Sequence, residues 1–374
     1  MNILHHLQSA AAVVLTFGMV IFLHEAGHFF VCRWLGVRVE KFAFGFGPEL
    51  LGITGASGTR FSICAFPLGG FVKPAGEELE NSSGKPDEYF GQSWNRRLAI
   101  VAAGPVMNYV LAFTLFTGVV FLKGVPEAGM APTIGNMMVG FPADRAGIQL
   151  DDTILAINGK EMKTWDEVAN TIHQFPNQAL SLTYARKGVS QTIQITPKKD
   201  DASGQGVIGI MPKPIYRPAG AGEAMKEGAK QCWALTTFTV KTIVSKISRH
   251  ERPDLAGPVG IVQMVSRAAH SGWEDLVFLI GLISVAIGFF NILPVPLLDG
   301  GHAAMYIWEG VTGKPLTKEA MARANGVGIA FLLSLLVFAT YNDVLRIKNE
   351  RSARKEAAAA PAPAAPAPAP VPAH

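Results

Sequence analysis

His24-Glu25-Ala26-Gly27-His28 sets two histidines four residues apart, with a carboxylate beside the first. On a helix, positions four apart share one face, so both imidazoles can hold a single metal ion. Glu25 then stands where it can take a proton from a metal-activated water, whose pKa a zinc ion lowers toward ~7. A catalytic zinc normally has three protein ligands, so one more must come from elsewhere in the chain. Asp299 is the candidate. It is the one carboxylate near the end of an otherwise apolar run, in Asn291-Ile292-Leu293-Pro294-Val295-Pro296-Leu297-Leu298-Asp299-Gly300-Gly301-His302. The prolines and glycines there break a helix and bend Asp299 toward a neighbour. His302 and Glu309 are the alternative ligands, and His302 reads more readily as a supporting residue. The bland reading is a hydrogen-bonded histidine pair, with Asp299 a helix-end residue in a glycine turn.

The elements that carry these residues decide between the two readings. Hydrophobic residues make up 49% of the 374 and charged residues only 17%, below the usual quarter for soluble domains. The apolar excess gathers in four runs: about Leu7–Leu35, Leu98–Leu122, Leu276–Leu298 and Val327–Tyr341. The first three reach the ~30 Å hydrocarbon thickness as helices at ~1.5 Å per residue. The histidine motif therefore lies inside a candidate span, where an uncompensated carboxylate costs several kcal/mol and ionisable residues mark function. The first run has no Lys or Arg ahead of it and no small-x-small site after it, which argues against a cleaved signal peptide.

Between the first two runs, residues 36–97 alternate apolar and polar at Val37–Phe42 and at Arg60–Ile63, broken by Gly45, Gly47, Pro48, Gly52, Gly55 and Gly58. This is strand periodicity, and it predicts a glycine-rich hairpin or small sheet against the membrane. A helical substrate hides its carbonyls in i→i−4 bonds. A free strand edge within Phe61–Gly70, including Phe66, Gly69 and Gly70, could therefore pair with an unwound segment. Residues 129–212 read as a polar α/β domain with a helix over Thr164–Phe175, capped by Thr164 with Glu167 three residues on, and strands at Leu180–Ala185 and Gln191–Ile195. Residues 220–250 predict an amphipathic interfacial helix rather than a span, because Lys241 interrupts the apolar face. The chain from Ala357 is Ala/Pro low complexity.

The net charge of +4 is mild, and no basic block with interleaved aromatics points to nucleic acid. Cys32, Cys64 and Cys232 form no CxxC pair and are odd in number, so neither a disulfide framework nor a zinc knuckle is implied. Eight Lys and Arg residues at 33, 38, 41, 60, 73, 85, 96 and 97 place the first loop in the cytoplasm, with residues 123–275 on the other side. Arg346, Lys348, Arg351, Arg354 and Lys355, beyond the fourth run, go against that orientation.

Taken together these residues resemble the site-2 protease family of intramembrane zinc metalloproteases, specifically its bacterial RseP-like branch. HEAGH stands for the family's HExxH and Leu298-Asp299-Gly300 for its LDG motif. Asn291 to Pro296 matches its Asn-x-x-Pro-x-Pro stretch, and Gly104-Pro105-Val106-Met107-Asn108 its second-span motif. Gly69-Gly70-Phe71-Val72-Lys73 is similar to the end of its re-entrant β-loop, and Gly257-Pro258-Val259-Gly260-Ile261 recurs before the third span. The resemblance implies one Zn2+ per chain on His24, His28 and Asp299, with Glu25 as general base. It also implies that Asn291, Pro294, Pro296, Phe66, Gly69, Gly70 and Asn108 lie along the substrate. The middle domain resembles a circularly permuted PDZ domain, with Gly206, Val207, Ile208, Gly209 and Ile210 as groove strand and Thr164–Phe175 as the facing helix. The best-known members carry two such domains in tandem; here there is room for one.

The fold class expected is thus a polytopic α-helical membrane protein of about four spans, with a membrane-associated β-hairpin loop and an inserted α/β PDZ-like domain. Its divisions are residues 1–35 (first span), 36–97 (β-loop), 98–122 (second span), 124–214 (PDZ-like), 215–275 (interfacial helix), 276–310 (third span), 326–345 (fourth span) and 346–374 (basic, then Ala/Pro-rich tail). The resemblance implies a multi-pass protein of the inner (cytoplasmic) membrane, with the PDZ-like domain on the extracytoplasmic side. Its expected partners are the lipid bilayer, single-span protein substrates such as an anti-sigma factor or signal-peptide remnant, and peptide C-termini at the groove. Two other readings compete. A scaffold tethering partners through its PDZ-like domain needs no zinc and no Glu25. A metal transporter would show an inverted repeat and further acidic residues within its spans, which the four runs named above lack.

Overall fold

The computed structural model describes residues 3–78, 82–126, 131–138, 140–200, 203–249, 257–315 and 317–359. It divides into two compact units, one of Met1–Thr117 with Lys226–His374 and one of Gly118–Met225.

The first unit opens with α1 (Ile3–Trp34), an uninterrupted 32-residue helix. No proline interrupts it, and at 1.5 Å per residue it is about 48 Å long, ample to cross a bilayer. Two long strands follow, β1 (Val39–Thr54) and β2 (Arg60–Pro74), then α2 (Trp94–Lys123). Among the described residues, four helices are long and apolar enough to cross a membrane: Ile3–Trp34, Trp94–Lys123, Trp273–Ile292 and the Glu319–Lys348 stretch.

Both strands bend and pair twice. Phe42 is opposite Phe61 on one side and Val72 on the other, while Ile53 also pairs with Phe61. The sheet therefore runs 70–74, 39–44, 60–64, 49–54 in space. Gly45 takes φ +89°, and a Cβ on it would stand 2.6 Å from the Phe66 carbonyl oxygen, so the bend in β1 requires glycine there. This corrects the expected edge. Phe61–Ile63 is paired on both sides, and the free edge beside α1 is Gly70–Pro74.

The second unit is built from β3 (Val125–Pro126), β4 (Ile134–Met137), α3 (Pro142–Arg145), β5 (Thr153–Ile157), β6 (Lys160–Glu161), α4 (Trp165–His173), β7 (Leu180–Arg186), β8 (Val189–Ile195), β9 (Lys198–Lys199), β10 (Gly206–Val207), β11 (Ile210–Pro212) and β12 (Tyr216–Arg217). Its main sheet has the order β6-β5-β7-β8. Leu180, Leu182 and Tyr184 alternate inward along β7 and pack with Ile154, Ile157, Val168 and Ile172. Thr164 caps α4 by accepting from the Glu167 amide at 3.3 Å, and the Glu167 carboxylate reaches back to the Lys163 amide at 2.7 Å. Asp152 holds a sharp corner: it accepts from the Gln149 amide at 2.8 Å and from the Arg186 guanidinium at 2.7 and 2.9 Å. Burial opposes ionisation of its carboxyl, but Arg186 and that amide outweigh it and hold the pKa below the ordinary value.

The first unit resumes with α5 (Ala221–Ser248), α6 (Pro258–Ser271), α7 (Trp273–Ile292), α8 (Asp299–Thr312) and α9 (Lys318–Ala359). Ala12 and Val20 of α1, Leu111 of α2, Val265 of α6 and Leu279, Ile280 and Ile283 of α7 form one buried cluster. The α9 helix continues to Ala359, so the stretch expected to begin a tail at residue 346 is helical as far as that residue. The rest of the expected tail, residues 360–374, lies outside the described residues. Cys32, Cys64 and Cys232 are free and buried.

Candidate metal centre

His24 and His28 lie one turn apart on α1, and two close approaches by α2 set their surroundings. Gly27 leaves room for the Ala103 carbonyl, and Gly104 leaves room for both imidazoles; a Cβ there would stand 2.7 Å from His24 Cε1 and closer still to His28 Nε2. Pro105 lies within α2 and has no N–H, which loosens the helix at this level. In that turn the Ile100 carbonyl accepts a hydrogen bond from His28 Nδ1 at 2.8 Å. A carbonyl can only accept, so Nδ1 carries the proton, and Nε2, which lies against Gly104, is the nitrogen left to coordinate.

Asn108 does the same for His24. It is fully buried, and its amide lies 3.2 Å from His24 Nδ1. With Oδ1 turned to the ring, the amide accepts from His24 Nδ1–H and leaves Nε2 free to coordinate. Asn108 thus stands behind the histidine and does not line the cavity described below. Its own backbone carbonyl accepts from Ser284 Oγ of α7 at 2.9 Å.

Asp299 arrives from a different direction. Helix α7 ends at Ile292, residues 293–298 form an irregular loop, and Asp299 is the first residue of α8. Leu297 is held at φ +81°, a left-handed conformation that costs a branched side chain ~1–2 kcal/mol and that clusters at functional sites. Gly300 and Gly301 lie against the carbonyls of Ile292 and Val295, where no Cβ would fit. This tight turn carries the carboxylate to 3.1 Å from His24 Nε2 and 3.5 Å from His28 Nε2.

The three side chains fit a metal ion. Their ligand atoms all lie within 4.8 Å of one another, and among the described residues they are the one group of three that does so. The two Nε2 atoms face each other at 3.3 Å, and the buried Asp299 Oδ2 has no hydrogen-bond partner. Lone pairs from two neutral rings and a carboxylate converging on one point repel unless a cation lies between them. Glu25 is on the same cavity, its Oε2 accepting from the Val72 amide on the free strand edge at 3.1 Å.

That cavity has a volume of about 460 Å³ and is lined by His24, Glu25, His28, Asp299, Asn291, Gly70, His302, Tyr89 and Tyr306 among others. Of the expected substrate contacts, Asn291 and Gly70 reach it. Pro294, Pro296, Phe66 and Gly69 do not line it. Glu309 is excluded as a ligand because it pairs with Arg97 at 2.6 Å, and His302 lies outside the three-ligand cluster. The Ile100 carbonyl and the Val72 amide are backbone groups that no residue pattern announces. Gly104, by contrast, was visible as half of a Gly-Pro pair.

In the second unit a groove of about 500 Å³ runs between Trp165, Val168, Ile172 and His173 of α4 and residues Val207–Pro212. The expected groove strand is broken. Gly206–Val207 pairs with β9, Ile210–Pro212 pairs with β4, and Gly209 at φ +81° makes the corner. Gly206 itself lies against the Ile172 carbonyl, off the groove.

Comparison with known proteins places the chain in a family. The model of peptidase family M50 matches residues 12–335. A protein of Clostridium acetobutylicum is 35% identical over 337 residues, covering 89% of this chain and 96% of its own. Relatives from Campylobacter jejuni (34% identical, 91% of this chain, 94% of the relative) and Agrobacterium fabrum (32% identical, 88% and 94%) match at similar length. All three carry the name "Putative zinc metalloprotease". Among solved structures, the PDZ domain of an SdrC-like protein from Listeria monocytogenes aligns with 24% of this chain and 93% of its own, at 20% identity and TM-score 0.21.

Proposed function

The chain belongs to peptidase family M50, the site-2 proteases, and is a zinc metalloprotease; on that premise we propose that it cuts single-span membrane proteins within the bilayer. The observation that carries this reading is the convergence of His24 and His28, inside one candidate span, with Asp299, just beyond the end of another, and Glu25 on the same cavity.

In this reading His24, His28 and Asp299 hold one zinc ion, which supplies a Lewis acid and an acidified water. The Ile100 carbonyl and Asn108 keep both imidazoles in the tautomer whose Nε2 is free to coordinate. Glu25 takes the proton of the attacking water and returns it to the leaving amine. The substrate helix unwinds and pairs with the Gly70–Pro74 edge, whose outward groups lie beside Glu25. Asn291 lines the cavity within reach of that strand; Pro294 and Pro296 shape the loop before Asp299, and Phe66 and Gly69 shape the corner of the sheet.

The eight basic residues from Arg33 to Arg97, five of them between α1 and α2 and three in the facing ends of those helices, support a cytoplasmic first loop, in an inner membrane, with the second unit outside the cytoplasm. The groove beside α4 then takes peptide C-termini in the PDZ manner and admits substrates such as an anti-sigma factor or signal-peptide remnant already shortened by another protease. The groove's apolar α4 wall, with Val168 and Ile172, supports a hydrophobic C-terminal side chain.

The test is cleavage of a single-span substrate in reconstituted bilayers. Glu25→Gln is expected to keep one zinc per chain and lose cleavage, and Asp299→Asn to lose both. Full activity in either variant would sink the reading.

A further inference from the structure

Asp343 is an acidic side chain buried inside the fourth candidate span, where it contributes nothing to the metal cavity. A carboxylate in such a place needs a partner, and its two oxygens have unusual ones. Oδ1 accepts from the Gly257 amide at 3.1 Å and Oδ2 from the Gly260 amide at 2.8 Å, with Arg346 at 3.3 Å from Oδ1. These amides belong to the first turn of α6, whose own N-cap, Gly257, offers no side-chain bond. Asp343 thus caps one helix from another, supplying negative charge where the α6 dipole favours it.

Few other contacts hold α9. Among its described residues only Gly328, Ala339 and Asp343 are buried. Gly328 and Ala339 are eleven residues apart, about three turns, and so share one face. At one end of that face Gly328 lies against the Pro296 carbonyl, in the loop that ends at Asp299. At the other, Ala339 and Asp343 press on Gly257, where a Cβ would stand 2.6 Å from both the Ala339 carbonyl and Asp343 Oδ2. Helices in lipid gain no hydrophobic drive to associate, so interhelical hydrogen bonds and close small-residue contacts fix their placement.

We propose that Asp343 is a positioning residue for the metal centre: by clamping α9 to α6 it seats Gly328 against Pro296 and steadies the loop that presents Asp299. The proposal rests on Asp299 being a zinc ligand. Without the clamp, α9 keeps one of these two close backbone approaches, and the 293–298 loop loses part of its backing.

The experiment uses the zinc-loaded full chain in lipid nanodiscs, comparing Asp343→Asn and Asp343→Ala with the parent. Hydrogen–deuterium exchange over residues 257–264 reads the clamp, and zinc release to a chelator reads its consequence. Loss of two charge-assisted hydrogen bonds is expected to speed both about tenfold, with kcat lowered and KM for a membrane substrate little changed. Should neither variant fold, Gly257→Ala attacks the same contact from α6 and is expected to give the same pair of effects. Unchanged exchange overturns the clamp. Faster exchange with zinc release within twofold of the parent overturns its link to the metal. A failed ligand assignment shows separately, as an Asp299→Asn protein that holds zinc like the parent, and the proposal falls with it.

Discussion

Gly104→Ala is the sharpest test of how the metal centre is built. A methyl group there would stand 2.7 Å from His24 Cε1, and closer to His28 Nε2, where ordinary contact begins at 3.4 Å. The His24 ring must therefore retreat by 3.4 − 2.7, about 0.7 Å, and the His28 ring by more. Helix α2 backing away by a similar amount would instead break the hydrogen bond between the Ile100 carbonyl and His28, so either response disturbs the rings. A displacement near 1 Å costs on the order of 100-fold in a reacting geometry, and disturbing what orients a metal ligand costs 10–100-fold in affinity. Alanine is also the better helix former, by ~1 kcal/mol. That gain offsets part of the ~1–3 kcal/mol that overpacking costs, so the variant should melt within a few degrees of the parent yet bind zinc roughly 10–100-fold more weakly. The assay is competition for zinc with a calibrated chelator, alongside thermal unfolding of the zinc-free protein. Gly118→Ala, on the same helix with open space at its Cβ, is the control and should match the parent in zinc affinity. Zinc affinity in Gly104→Ala within threefold of the parent would refute the argument that α2 fixes the imidazoles by close approach.

Other substitutions separate roles that the sequence leaves merged. Asn108→Ala should weaken zinc about 10–100-fold with KM unchanged, as expected for a residue behind His24; a raised KM with normal zinc would restore its reading as a substrate contact. Val72→Pro removes the outward amide that Glu25 accepts from while sparing the ladder to Phe42, so zinc should stay bound and kcat/KM fall about tenfold; unchanged kcat/KM in a cleavage assay contradicts this. Asp152 has a folded pKa below its unfolded value, so its stabilisation is full above the ordinary carboxylate range and is lost as pH falls through the lowered folded pKa. Asp152→Asn should therefore destabilise the Gly118–Met225 unit by about 2 kcal/mol at neutral pH and flatten its loss of stability in acid, as read by hydrogen exchange over β5 and β7.

How much of this the sequence reveals follows from the range of each interaction. His24 and His28 are legible because an i, i+4 pair is fixed by the helix alone, and Asp299 because prolines and glycines mark the break that frees it. The alternation in β7 and the Thr164 cap are local in the same sense. The sheet after α1 shows the limit. Periodicity finds its strands but cannot tell which of them is paired twice, so Phe61–Ile63 reads as an edge when it is interior. Asn108 misleads for a similar reason: being fully buried 84 residues from His24 in sequence, it discloses its partner only when α1 and α2 are packed.

A further asymmetry follows from how the site is divided. The two histidines share one rigid helix, so their spacing needs only α2 behind them. Asp299 begins a separate helix after six irregular residues, and no neighbour in sequence fixes its distance from α1. That distance depends on the turn at Gly300 and Gly301, on the strained Leu297, and on whatever holds the loop from outside. In lipid, where apolar contact between helices gives little net attraction, such support must come from close backbone approach and from hydrogen bonds. Small residues at helix crossings and polar atoms aimed at backbone groups should therefore govern zinc retention. Large exposed side chains such as Val337 of α9 and Val110 of α2 should be replaceable at little cost.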